Sequence, residues 1–235
     1  MQVDEGEIVG LIGPNGAGKT TIFNLITGFI KPTEGQIIFE QANVTGQKTH
    51  LLAEKGIART FQTTTFLPDF TVLQNVSVSC HLHPKTHFWS AVFNTSGYEK
   101  KEASAFARAL EILQFMGLDS VKHVLPQNLP HGHQKLLGIA MALSTNAKLL
   151  LLDEPVSGMS PVEVAETTKI VNRLRSRGTT TIVVEHNMRA IMELCDRLVV
   201  LNFGQKIAEG TPEEIQENRQ VIEAYLGTDE DAARP

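Results

Sequence analysis

Eight residues near the amino end, Gly13-Pro14-Asn15-Gly16-Ala17-Gly18-Lys19-Thr20, have the types and spacing of a phosphate cradle, and Thr21 extends it. Small residues let such a loop curl until its backbone N–H groups point inward at phosphate oxygens. A helix starting near Gly18 adds the positive end of its dipole. Lys19 is then placed to reach the β- and γ-phosphates, and the Thr20 hydroxyl to ligate Mg2+. A second group, Asp153-Glu154, ends the run Leu149-Leu150-Leu151-Leu152. A strand tip beside a phosphate loop is where Mg2+ needs a further contact, and Asp153 fits that role. Strand alternation turns Glu154 the opposite way, provided strand geometry persists to it. It is then free to polarise an attacking water as a general base. The chemistry implied is hydrolysis of ATP with Mg2+.

These groups need a scaffold that brings strand tips and helix starts to one edge. Short runs rich in Val, Ile and Leu alternate with helical patterns, which predicts an α/β domain. Residues 8–12 read as a buried strand and 18–27 as a helix, with further strands expected at 36–39 and 56–61. The runs 149–152, 180–184 and 198–201 lack polar alternation and read as strands buried on both faces. From about 63 to 129 strand signals fade and helical spacing takes over, with Ala103, Phe106, Leu110 and Leu113 recurring on one expected helix face. This predicts a helical subdomain inserted in an α/β core made of 1–62 and 130–227, with Pro126 and Pro130 marking the end of the insertion. Ser160-Pro161-Val162-Glu163 and Thr211-Pro212-Glu213-Glu214 each supply an N-cap hydroxyl, Pro at the first helical position and Glu at the third. Residues 228–235 read as a frayed polar tail.

Composition narrows the classes. The chain has 235 residues, and 21 Lys and Arg against 26 Asp and Glu give a net charge of −5. That balance argues against nucleic-acid binding through bulk positive charge. Hydrophobic residues at 42% and charged residues at 20% describe a globular chain rather than a disordered one. Cys80 and Cys195 are too few for a disulfide framework and fit a reducing compartment. No apolar run approaches the roughly 18 residues that span a bilayer, and the acidic start has neither the basic nor the apolar region of a signal peptide.

The segment between the two motifs carries a family resemblance. Leu129-Pro130-His131-Gly132-His133-Gln134 opens an apolar-periodic helix and resembles the signature of ABC-type ATPases. Gln62 resembles the Q-loop glutamine, Ser157-Gly158-Met159-Ser160 the D-loop, and His186, after Ile182-Val183-Val184-Glu185, the switch histidine. The likeness runs over essentially the whole chain. It implies a phosphate-loop ABC-type ATPase core with an inserted helical subdomain, working as a head-to-tail dimer. In such a dimer Pro130, His131, Gly132 and His133 of one subunit face ATP held by the other. The same likeness gives Gln62 a contact to Mg2+ or water and a coupling role, and gives His186 a contact to the γ-phosphate. It further implies integral-membrane permease subunits, a second ABC ATPase subunit (a copy or a paralogue), an indirect link to a solute-binding protein, no nucleic acid, and a peripheral place on the cytoplasmic face of the cell membrane.

Finer stretches resemble one subfamily. Gly56-Ile57-Ala58-Arg59-Thr60-Phe61-Gln62, Leu73-Gln74-Asn75-Val76, the segment from Ile207-Ala208-Glu209-Gly210 to Ile215, and Val221-Ile222-Glu223-Ala224-Tyr225-Leu226-Gly227 look like the ATP-binding subunits of high-affinity branched-chain amino acid importers. Related amide or urea importers and the lipopolysaccharide exporter ATPase are the nearest alternatives, and a soluble ABC ATPase acting on ribosomes or DNA is the rival from another class. That rival usually carries two fused ATPase units or a long coiled coil; this chain has one phosphate loop and no sustained heptads.

The sequence departs from the family pattern in places. Pro130 stands where the signature serine is usual, leaving backbone N–H groups and the helix dipole to meet phosphate. His131 and His133 replace a small or aromatic residue and a glutamine. Imidazoles beside phosphate gain charge as pH falls through about 6.5, so turnover is expected to vary weakly with pH, and a flat rate between about pH 6 and 8 would remove the idea. Ser160 stands where the D-loop usually has Asp or Asn, and reads first as a helix cap. No Tyr, Phe or Trp precedes Phe23, although relatives place an adenine-stacking aromatic before the loop. The expectation is a start misassigned within a longer protein, checked by whether the native mass exceeds 25.8 kDa.

Some patterns carry less. Cys80, His81, His83 and His87 lack the second paired cluster of a structural zinc site and read as surface or interface residues. Phe66, Phe70, Phe88, Trp89 and Phe93 divide between core and a groove for a permease helix, with 64–70 as the expected groove. Arg173, Arg175 and Arg177 read as a solvated helix face.

Overall fold

The computed structural model describes residues 1–61, 65–81 and 96–226. Its strands are β1 (Ile8–Ile12), β2 (Ile38–Phe39), β3 (Ala42–Asn43), β4 (Ile57–Arg59), β5 (Leu149–Asp153), β6 (Thr180–Val184), β7 (Arg197–Asn202) and β8 (Gln205–Gly210). Its α-helices are α1 (Lys19–Ile26), α2 (Thr49–Glu54), α3 (Val72–Cys80), α4 (Ser96–Phe115), α5 (His131–Ser144), α6 (Pro161–Leu174), α7 (Met188–Leu194), α8 (Pro212–Gln216) and α9 (Arg219–Leu226).

Six strands form one sheet in the order β4-β5-β6-β1-β7-β8, parallel except for the edge strand β8, which pairs antiparallel with β7. The apolar runs that lack alternation form this sheet because both of its faces are covered. On one side Ile8, Ile12, Leu150, Leu152, Val183 and Val200 join the core beneath α3 to α7. On the other, Val9, Leu11, Leu149, Leu151, Ile182 and Val184 pack with Phe23 of α1 and Leu52 of α2. With helices on both faces, the crevice lies beyond the carboxyl ends of the strands, where open parallel sheets bind ligands.

Between β4 and α5 the described α-helices are α3 and α4, which pack together. Thr71 and Gln74 form a reciprocal capping box at the start of α3. The buried face of α4 matches the expected one in part: Leu113 lies in the core and Leu110 packs against it, but the face turns away from Ala103 and Phe106. Ala105, Ala109, Ile112, Leu113 and Met116 are buried, whereas Ala103 and Phe106 are exposed and Leu110 is half-buried. Ala109 shares one core cluster with Val72 and Val76 of α3, and the small Ala105 lies buried on the same side.

The helix starts at Ser160 and Thr211 both carry full capping boxes with Glu163 and Glu214. Arg173, Arg175 and Arg177 are exposed, as a solvated face requires, yet engaged. The guanidinium of Arg173 lies 5.1 Å and that of Arg177 4.2 Å from the centre of the Phe115 ring, while Arg175 pairs with Asp196 at 2.6 Å. His83, His87, Phe88, Trp89 and Phe93 lie outside the described residues, as does the tail 228–235.

Candidate active site

The turn after β1 carries Gly13, Pro14, Asn15, Gly16, Ala17 and Gly18, and Lys19, Thr20 and Thr21 begin α1. A Cβ on Gly13 would collide with the Leu201 carbonyl oxygen, so the loop leaves the sheet where only glycine fits. At Gly16 φ is +81° and nothing stands within 4 Å of an added Cβ, so the loop's tip is open above a left-handed turn. The loop is braced from β7–β8, where the Gly204 N–H donates to the Ala17 carbonyl at 3.0 Å.

Gly18 caps α1 in left-handed geometry, with no side chain on the free N–H groups and no acid in the first turn. Such a start accepts an anion. Lys19 is only 8% exposed, and its Nζ donates to the carbonyls of Gly13 at 2.7 Å and Pro14 at 3.0 Å. Burial pulls this ammonium below its ordinary pKa, while Glu154 and Asp153 nearby pull it back up. Thr20 and Thr21 are exposed beside it.

Beta-strand β5 ends at Asp153, and Glu154 does not continue the alternation. Its φ is +49°, a left-handed conformation rare for a residue with a side chain. The turn is pinned at three points: Glu154 N–H donates to Val184 O at 2.8 Å, and its carbonyl accepts from Ser157 N at 3.3 Å and Lys135 Nζ at 3.2 Å. The side chain, 17% exposed, meets the His186 ring, with Nε2 3.2 Å from Oε1. Strained backbone held by its surroundings is a common mark of a reacting centre. The carboxylate, the imidazole, Asp153 and Lys19 thus share the carboxyl edge of β1, β5 and β6. Gln62 lies outside the described residues.

Pro130 caps α5, and His131, Gly132 and His133 form its first turn. They meet the segment that follows Glu154. His131 Nε2 lies 3.2 Å from the Ser157 carbonyl, and since a carbonyl only accepts, this nitrogen carries the proton. A Cβ on Gly132 would press on the Glu163 carboxylate at 2.7 Å. That carboxyl is held below its usual range by the Ser160 N–H and hydroxyl donating to it.

The place of Arg59 in the site has no signal in the sequence. Its Nη2 pairs with Asp153 Oδ2 at 2.8 Å and Nη1 donates to Asn24 Oδ1 at 2.6 Å, linking the β5 tip to α1. The guanidinium is 5.3 Å from the Phe23 ring centre and 5.2 Å from that of Phe61. Both side chains of the ion pair are buried, at 8% and 12% exposure. Removing one partner of such a pair strands the other charge, so Arg59→Leu is expected to cost about 3–5 kcal/mol, read from the urea midpoint. A cost under about 1 kcal/mol, typical of exposed pairs, would show that Asp153 does not depend on it.

A strand, a glycine cradle, a buried lysine at an open helix start, and a carboxylate–imidazole pair on neighbouring strand tips form one arrangement. The family description "ABC transporter" matches residues 1–157. The chain belongs to the ABC transporter ATP-binding family. The high-affinity branched-chain amino acid transport ATP-binding protein BraF of Pseudomonas aeruginosa is 38% identical over 228 residues, 97% of this chain and 89% of that protein. An ABC transporter's ATP-binding cassette solved in its ADP conformation superposes with TM-score 0.82 at 33% identity, covering 97% of this chain and 91% of that one. A dimeric ATP-binding cassette in a post-hydrolysis state with ADP and Pi gives 0.74 at 27% identity, covering 90% and 88%. A second description, "Branched-chain amino acid ATP-binding cassette transporter", matches residues 205–231. Like its family, this ABC ATPase binds nucleotide and works with membrane permease components. Among its described residues no helix is long and apolar enough to cross a membrane.

The C-terminal part also reaches the phosphate loop. Tyr225 of α9 has its phenol raised by burial, with a backbone hydrogen bond from Gly13 pulling the other way. Nothing in the spacing of 219–226 signals that contact.

Proposed function

We propose that this chain hydrolyses ATP with Mg2+ as one of two ABC ATPase subunits on the cytoplasmic face of a transporter that imports branched-chain amino acids. The observation that carries the hydrolytic reading is the Glu154–His186 contact at 3.2 Å beside Asp153 and Lys19. The solute reading rests on the relative's name and the match over 205–231.

The residues fit nucleotide with its metal: an open helix start at Gly18, a buried ammonium bonded only to loop carbonyls among the described residues, and exposed threonine hydroxyls. Residues 13–21, Gly13, Pro14 and Ala17 among them, shape the cradle, and the backbone N–H groups of Asn15, Gly16, Gly18, Lys19, Thr20 and Thr21 are the ones that meet the phosphates, the Ala17 N–H being bonded to the Pro14 carbonyl. Thr20, Asp153 and Gln62 would hold Mg2+, which would offset phosphate charge. Glu154 takes a proton from water as its oxygen bonds the γ-phosphorus and the bond to the β–γ bridging oxygen breaks. His186 keeps Glu154 in line and meets the γ-phosphate. Most of the barrier is lowered by positioning and by charge placed in advance.

The signature residues Pro130, His131, Gly132 and His133 present the α5 start to ATP held by the partner subunit. Closure of the dimer pulls on the permease through Gln62, and hydrolysis reopens it. Phe29, Phe61, Leu67 and Phe70, all at least 40% exposed, supply apolar surface on either side of Gln62 for a permease helix. A solute-binding protein delivers solute on the other side.

Capture of the tagged protein from gently solubilised native membranes, with partners identified by mass spectrometry, tests this reading. Two polytopic permeases and a second ATPase are expected, followed by dependence of branched-chain amino acid uptake on this chain. Uptake of an amide or urea instead would reassign the solute. Recovery only with ribosomal or DNA-repair proteins would overturn transport.

A further inference from the structure

Glu185 directly follows β6, and it is a carboxylate kept out of water, at 5% exposure. Its Oε1 accepts from the Val156 N–H at 2.8 Å, and its Oε2 from the N–H groups of His186 at 2.9 Å and Asn187 at 3.2 Å. Among the described residues no Lys, Arg or His forms an ion pair with it. A buried carboxylate without a counter-ion is tolerated only where several N–H donors converge on it. Here the donors come from two separate turns. One follows β5 and carries Glu154; the other follows β6 and carries His186.

Two ordinary explanations do not account for it. The helix α7 does not need Glu185 as a cap, since the Asn187 side chain already accepts from Ala190 N at 3.1 Å. Nor does the sheet need it as a clamp, because β5 and β6 are paired through Asp153 and Val184. What Glu185 adds is a fixed relation between the two turns beyond the sheet. Their side chains are the ones that meet, Glu154 Oε1 and His186 Nε2.

We propose that Glu185 is a positioning residue that ties the β5 turn to the β6 turn, so that the general base and the switch histidine are held as one unit. It touches no substrate, and its role rests on the functions proposed for Glu154 and His186. The residue type follows from the donors: an oxygen is required at both ends of the group. Glutamine offers one oxygen and one NH2, and the NH2 would face an N–H at either the Val156 end or the His186 end.

The test is Glu185→Gln, with steady-state hydrolysis counted per nucleotide-binding site so that misfolded chains do not enter. We expect kcat to fall about 30-fold with KM for ATP within about 2-fold, because the phosphate loop is untouched and only the reacting pair is loosened. A kcat within about 3-fold of wild type, or a KM that rises in step with the loss, overturns the proposal. Glu154→Gln, assayed in parallel, separates the two levels. If that variant still hydrolyses ATP, the assignment of the base has failed; if it is inactive while Glu185→Gln is unimpaired, only the tie has failed. Should Glu185→Gln not fold, hydrogen exchange on the wild-type chain decides. The Val156, His186 and Asn187 amides are expected to be protected about 100-fold or more relative to an open loop. Exchange of all three at open-loop rates overturns the tie.

Discussion

Glu154→Gln is expected to bind ATP as the wild type does and to hydrolyse it about 10²–10⁴ times more slowly, the range a positioned general base supplies. In barrier terms that is about 3–5.5 kcal/mol. The substitution is nearly isosteric. It keeps the left-handed backbone, because the bonds to Val184, Ser157 and Lys135 are made by main-chain atoms of residue 154. It also keeps an oxygen for His186, which lies 3.2 Å away. What disappears is the capacity to take a proton, so the loss falls on kcat. Phosphate release and equilibrium binding of ATP, measured on the same preparation, separate the two. Hydrolysis within about tenfold of wild type would assign the base elsewhere, and Asp153, held by Arg59, would be the next residue to test.

How much of this could be read from the chain follows from where each residue's partners lie. The glycine loop is legible because its parts are contiguous: strand, glycines, lysine and helix occupy residues 8–26 in order. The β5 and β6 strands are legible because burial on both faces leaves unbroken apolar runs. Geometry carried by main-chain atoms distant in sequence leaves no such trace. The turn at Glu154 breaks strand alternation through bonds to Val184 and Lys135, thirty and nineteen residues away. Glu185 depends on the backbone N–H of Val156, which any residue except proline supplies. Arg59 is similar: a single arginine in a strand says nothing of Asp153, 94 residues on. The face of α4 is legible in part: Leu110 and Leu113 point to it, while Ala105 and Ala109, buried but small, carry little apolar signal.

Lys19→Ala should act at the opposite end of the same site, on binding rather than on chemistry. The ammonium is buried, and its hydrogen bonds go to the Gly13 and Pro14 carbonyls of its own loop. Desolvation there lowers its pKa, partly offset by Glu154 and Asp153. The sign follows: a lysine whose pKa is lower folded than unfolded subtracts stability while it is charged, and the cost lifts as pH rises through the folded value toward the unfolded one. At neutral pH the alanine variant therefore loses two hydrogen bonds but also sheds a desolvated charge, and its nucleotide-free stability is expected to stay near that of wild type. Its affinity is not. A charge-assisted contact to phosphate is worth about 1.5–3 kcal/mol, and one ammonium shared by two phosphates sits at the upper end, so Kd for ATP should rise about 100-fold or more. Thermal unfolding with and without ATP reads both quantities together. Wild type held at about 100 times its Kd gains about 2.7 kcal/mol from the ligand, and the variant at the same concentration should gain less than about 0.5. An undiminished shift would mean that the loop's N–H groups and the α1 dipole bind the phosphates unaided, leaving Lys19 to Glu154 and Asp153 as a counter-charge.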